Sequence, residues 1–210
     1  MPNWCSSKYA FYADDENKGE LLRLHNNLSG IMKTPSEVEN GFEPGWLGKV
    51  AIKHDIDWEN VHCKGSIKYL DRYKPGGNFF TLDAETAWSP TEELWETVIA
   101  RYEGISFAYI AEEAGNGIFT NTDAAGTFFP EKYLFEIWGN APIPEGWFAG
   151  GGKPGSLCIR EYFEDFGELA DYCAKLTGKE FGTFEELQSY FFGIFEEENI
   201  FVGIHEFEAA

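Results

Sequence analysis

The sequence predicts an α+β fold: an antiparallel sheet with two helices on one face, followed by a smaller acidic α+β segment. Three observations predict it. Strand-like and helix-like patterns follow one another as β, α, β, β, α, β over about residues 1–138. An Asn-Gly turn between two β-prone runs marks a hairpin. Beyond a Gly/Pro-rich stretch at residues 139–155, a β, α, α, β series closes the chain.

Each element has its own signal. Residues 7–12, SKYAFY, place Tyr9 and Phe11 on one face of a first strand; Trp4 is expected to close the end of the core and Cys5 to pack beside it. Leu21, Leu24, Leu28 and Met32 recur at helical spacing, with Gly30 and Pro35 as breakers near the end. Residues 45–55, GWLGKVAIKHD, predict a short helix interrupted by glycine. In residues 61–71, VHCKGSIKYLD, Val61, Cys63, Ile67 and Tyr69 alternate with His62, Lys64, Ser66 and Lys68, as in a half-buried strand. Residues 77–88, GNFFTLDAETAW, predict its partner across a Pro75-Gly76-Gly77 turn.

In SPTEELWETVIARY, Ser89 is placed as a helix cap, Pro90 at the first helical position and Glu92 as the capping-box partner. Trp95, Val98, Ile99 and Tyr102 form the apolar stripe. ISFAYIAEE and GIFTNTD flank Gly115-Asn116-Gly117 as a hairpin, and KYLFEIW supplies a further strand assigned to the first part. Past the glycines, SLCIREYF reads as a strand. The following helix is capped by Asp165 with Glu168 and stopped by Gly178, with Phe166, Leu169, Cys173 and Leu176 buried. A last helix has Thr183 and Glu186 as its capping box and Leu187, Tyr190, Phe191 and Ile194 as its stripe, and NIFVGIHEFE is the final strand. The order over the first part is that of a ferredoxin-like domain with extra strands. The expected division is a ferredoxin-like domain at 1–138, a linker at 139–155 and an acidic α+β C-terminal unit or extension at 156–210.

The chain carries 36 acidic and 16 basic residues, a formal net charge of −20. That surface repels phosphate, which argues against direct binding of nucleic acid or an anionic membrane. No apolar run reaches the length of a membrane helix, and the N-terminus lacks a signal-peptide pattern. Four scattered cysteines do not form a disulfide framework, so a cytosolic setting with reduced thiols is expected.

Catalytic and cofactor signatures are weak. Cys5, His62, Cys63, Cys158, Cys173 and His205 show no metal-ligand spacing, and His54-Asp55 is a lone pair without the other ligands of an HD site. His25 is placed near the apolar side of the first helix. AGGGKPG fails the phosphate-loop pattern because Trp147 replaces the first glycine and Pro154 follows Lys153. The cysteines read as small buried hydrophobes, and no cofactor is expected.

The opening MPNWC, the stretch GWLGKVAIKHDIDW and the segment TLDAETAWSPTEELWETVIARYEGISFAYIAEEAGNGIFTNTD together resemble the YubB-type ferredoxin-like domain family of phage, plasmid and integrated-element proteins. TAWSP and the AEEAGNGIF hairpin carry the resemblance most specifically, and it extends over about residues 1–138. It implies an accessory protein of a mobile element, brings no catalytic residue with it, and makes Trp4, Gly45, Trp46, Trp88 and Gly117 architectural.

The expected function is therefore non-enzymatic: binding of a partner protein with a basic surface, as in an antagonist of host restriction or CRISPR defence whose acids imitate DNA phosphates. The candidate residues are Glu161, Glu164, Asp165, Glu168, Asp171, Glu185, Glu186, Glu196, Glu197 and Glu198. The same acids also read as a solvated surface that only aids solubility, and the alternative function is a small-molecule-binding or hydrolytic cleft between the two parts, marked by Trp147 and Phe148.

Overall fold

Alternation at the start of the chain builds the centre of a sheet. Strand β1 (Trp4–Ala13) buries Cys5, Ser7, Tyr9, Phe11 and Ala13 on one face, because successive side chains of a strand point to opposite sides. The computed structural model describes residues 3–33, 44–139, 157–198 and 201–209. It divides into two units, Met1–Ala124 and Ala125–Ala209, each with its own antiparallel sheet.

In the first unit, helix α1 (Lys18–Lys33) buries Leu21, Leu24, Leu28 and Ile31, while Met32 is only partly covered. The helix α2 (Leu47–Lys53) follows and buries Leu47, Val50 and Ala51. Strands β2 (Gly65–Leu70) and β3 (Phe79–Ala87), helix α3 (Glu92–Ile99), and the hairpin β4 (Ile105–Glu113) and β5 (Ile118–Asn121) complete the unit. The strand order is β2-β3-β1-β4-β5, with every pairing antiparallel. Each helix-bearing crossover therefore skips one strand: β1 to β2 steps over β3, and β3 to β4 steps over β1.

The helices close over an aromatic core in which Trp95 meets the ring of Phe11 edge-on at 5.1 Å and Tyr9 at 5.5 Å. The Tyr9 hydroxyl accepts the Thr91 N–H at 3.0 Å, satisfying a donor at the start of α3. In the hairpin, the Glu113 carboxylate accepts the N–H groups of Gly115 and Asn116, both at 2.7 Å, and Gly117 takes φ +68°.

Several expectations change here. Trp4 does not close the core: it points away and is 58% exposed. The strand expected at 61–71 begins only at Gly65; Cys63 instead turns its thiol to the Trp58 carbonyl at 3.2 Å. A side chain at Gly65 would meet the Glu85 carbonyl oxygen at 2.2 Å, so only glycine admits β3 this closely. Helix α3 starts later than its capping box implied, with Thr91 as cap, because the Ser89 hydroxyl lies 3.3 Å from the His62 imidazole instead.

The second unit is built on β6 (Tyr133–Gly139), flanked by β7 (Leu157–Phe163) and β8 (Phe201–Glu206). KYLFEIW was expected to close the first part, with the boundary at 138. The structure places the boundary between 124 and 125, since β6 is the central strand that β7 and β8 both require. Gly139, the first residue of the expected linker, ends β6; residues 140–156, with Trp147 and Phe148, lie outside the described residues.

Helices α4 (Phe166–Thr177) and α5 (Phe184–Glu198) cover one face of this sheet, burying Leu169, Cys173, Leu187 and Phe191 against Phe135 and Ile137. Their caps follow the local sequence. Asp165 accepts the Glu168 N–H at 3.0 Å, Gly178 closes α4 at φ 75°, and at the start of α5 Thr183 accepts the Glu186 N–H at 3.2 Å while the Glu186 carboxylate reaches back to the Gly182 N–H.

Candidate interaction surface

The acids singled out from sequence all lie in the second unit, on two kinds of position. Asp165, Glu168 and Glu186 hold helix N-termini: Glu168 accepts the Glu164 N–H at 3.2 Å and Glu186 the Gly182 N–H at 2.9 Å. Negative charge is favourable there, so folding alone accounts for them. Glu161, Glu164, Asp171 and Glu185 are also exposed, on β7, the turn into α4, α4 and α5. Glu196, Glu197 and Glu198 belong to the last turn of α5, and their side chains lie outside the described residues. Residues 125–209 hold 16 acids and 5 bases, net −11.

The opposite face of the second sheet carries a polar cluster that composition did not reveal. Glu136, on the central strand, is 4% exposed; the Arg160 guanidinium on β7 stands 3.5 Å from it and the His205 imidazole on β8 3.6 Å. Burial raises the Glu136 pKa, and a hydrogen bond from the Trp138 side chain works against that rise. Burial, and then the charge of Arg160, bring the His205 pKa down to about 4, so His205 is neutral at physiological pH. Gly203 makes room for this pair: a Cβ there would stand 2.7 Å from His205 Nε2 and 2.8 Å from Glu136 Cγ. Trp138, Tyr162 and Phe201 surround the cluster and remain between two-fifths and half exposed. The sequence signal was an acid inside the apolar run LFEIW, which is rare unless the carboxylate has partners.

At the edge of the same unit, α5 and β8 enclose a groove of about 620 Å³ lined by Gln188, Ser189, Phe192, Phe201 and Val202 among others. Phe192 is 63% exposed. A neighbouring cleft shares Ser189 and is lined by Lys179, Glu180, Glu185 and Glu186.

The described cysteines of both units, and His25 and His54 of the first, have structural surroundings. Cys5, Cys63 and Cys173 are buried, and burial pushes each thiol up, Cys173 to about 12, which holds them protonated. The side chain of Cys158 lies outside the described residues. His54 is buried between the Val50 carbonyl at 2.8 Å and the Tyr102 hydroxyl at 2.7 Å, with its pKa lowered mainly by burial. Its ring nitrogens are thus engaged in tying α2 to Tyr102. His25 Nε2 lies 2.7 Å from the Asp71 carbonyl oxygen. Among the described residues, no group of three or more His, Cys, Asp or Glu side chains is placed to hold a metal ion. No helix among them is long and apolar enough to cross a membrane.

Trp88 stands out for its backbone. It adopts φ +75°, a conformation that costs a bulky side chain on the order of 1–3 kcal/mol, and is held there by its N–H on the Asn3 carbonyl at 2.9 Å. Its indole is half exposed, at the same end of the sheet as exposed Trp4. No family model, curated protein or solved structure matches the chain.

Proposed function

We propose that the chain is a non-enzymatic binding protein of the cytosol, an accessory protein of a phage or other mobile element, whose acidic second unit engages a basic surface on a partner protein. The single observation that carries this reading is the exposure of Glu161, Glu164 and Asp171, outside the first turns of α4 and α5, on a unit with 16 acids and 5 bases. In its sharper form the partner is a host restriction or CRISPR nuclease. Carboxylates would then occupy a groove built for phosphates, which recur about every 3.4 Å along a DNA strand. The ferredoxin-like reading of the first unit is supported by the order β2-β3-β1-β4 and by two interleaved crossovers, with α2 and β5 as additions.

Affinity capture from a bacterial host lysate at low and high salt tests this proposal. It predicts retention of a basic DNA-processing protein that is released by salt and competed by duplex DNA. Capture of nothing, or of a partner indifferent to both, refutes it.

A further inference from the structure

We propose that the outer edge of β8, together with the groove against α5, is a docking site for an extended segment of a partner protein, basic and apolar at alternate positions, added as a fourth strand. The inference rests on the binding role proposed above and names the site and the form of its partner. Three observations carry it. First, the order β7-β6-β8 leaves β8 at an edge, and among the described residues no strand pairs with its outer side. Such an edge offers main-chain donors and acceptors to an incoming strand. The Gln188 side chain on α5 meets the Ile204 carbonyl oxygen at only 3.5 Å, the limit of a hydrogen bond and weak enough for an incoming N–H to displace.

Second, the groove of about 620 Å³ runs along this edge with Phe192 63% exposed and Phe201 45% exposed. An added strand that turns its apolar positions toward α5 sets them against Phe192, while Phe201, on the face of the Glu136 cluster, flanks its basic positions. Third, the charge around the groove selects the occupant. Ser189 joins it to the cleft bearing Glu180, Glu185 and Glu186, where Lys179 is the one cation lining the cleft among the described residues, and Glu206 ends β8. A lysine- or arginine-bearing segment is attracted there, whereas a second copy of this chain, at net −20, is repelled.

The probe is a library of end-blocked synthetic peptides of about eight residues, alternating Lys or Arg with Val, Ile or Phe, read by fluorescence anisotropy against the full chain. The tightest binder is then remade with N-methyl groups on either its odd or its even residues. An added strand turns alternate N–H groups toward β8, so one methylated form loses at least about tenfold in affinity and the other keeps it. Phe192→Ser, which removes the ring without adding charge, weakens binding by a similar factor while thermal unfolding is unchanged, because the side chain is mostly in water already. Equal behaviour of the two methylated forms overturns the site, as does a library that binds no better than a Lys-Pro control. Peptide-competed dimerisation of the chain replaces the partner with a second copy and also overturns it. If lysate capture yields a salt-sensitive partner that Phe192→Ser does not release, the docking site fails and the binding role stands; if peptides bind through Phe192 but no lysate partner is retained, the reverse holds.

Discussion

Acidification destabilises the second unit through His205. The imidazole is about a quarter exposed, 3.6 Å from Glu136 and within the field of Arg160, and its pKa falls from 6.5 to about 4. The unfolded chain therefore takes up this proton near pH 6.5, whereas the folded chain resists until about pH 4. Between those values the unfolded state binds more protons, so stability falls as the pH drops. The full difference is worth about 3 kcal/mol. Glu136 acts in the opposite sense: its raised pKa makes the folded state take up a proton first, a contribution present in acid and lost as the pH rises through its folded value.

Comparing the chain with His205→Gln isolates the histidine, because Glu136 remains in both. Amide exchange of β6 and β8 reports the second unit separately from the first. Between neutral pH and about pH 4.5, the parent should lose roughly 2–3 kcal/mol more than His205→Gln. The imidazole resonance should titrate near 4. Titration near 6.5, or equal slopes in the two proteins, rules out a neutral His205 as the source of the pH dependence.

Two tryptophans of the first unit behave differently. Trp95→Ala removes a fully buried ring and costs about 3–5 kcal/mol by chemical denaturation, whereas Trp4→Ala, 58% exposed, changes stability by no more than about 0.5 kcal/mol. Gly65→Ala puts a methyl group 2.2 Å from a backbone oxygen; parting β2 from β3 to relieve that overlap costs about 2 kcal/mol or more, read as a lowered unfolding midpoint. A disulfide reagent near neutral pH should leave Cys5, Cys63 and Cys173 unmodified in the native chain and label all three in denaturant, as mapped by peptide mass spectrometry.

What the sequence disclosed and what it hid divide along the range of the interactions. The caps at Asp165, Thr183 and Gly178 rest on contacts a few residues away, and residue types alone placed them. The Ser89 cap failed because a distant His62 claims its hydroxyl. KYLFEIW alternates equally well in either sheet; its membership is fixed by Ile159 on β7 and Val202 on β8, which pair with Ile137 from opposite sides. The acids of α4 and α5 were visible one by one, but not which of them cap helices. The Glu136 cluster draws Arg160 and His205 from two other strands, so the only local trace of it was one carboxylate in an apolar run.

In the proposed function, exposed acids of the second unit bind a basic partner. The most direct measurement is the affinity of a captured partner for the chain and for a variant with Glu161, Glu164 and Glu185 changed to Gln and Asp171 to Asn, at low and high salt. The helix caps stay intact in that variant. Binding through these acids predicts a loss of at least about tenfold at low salt and a shallower salt dependence. Unchanged affinity and unchanged salt dependence would contradict it.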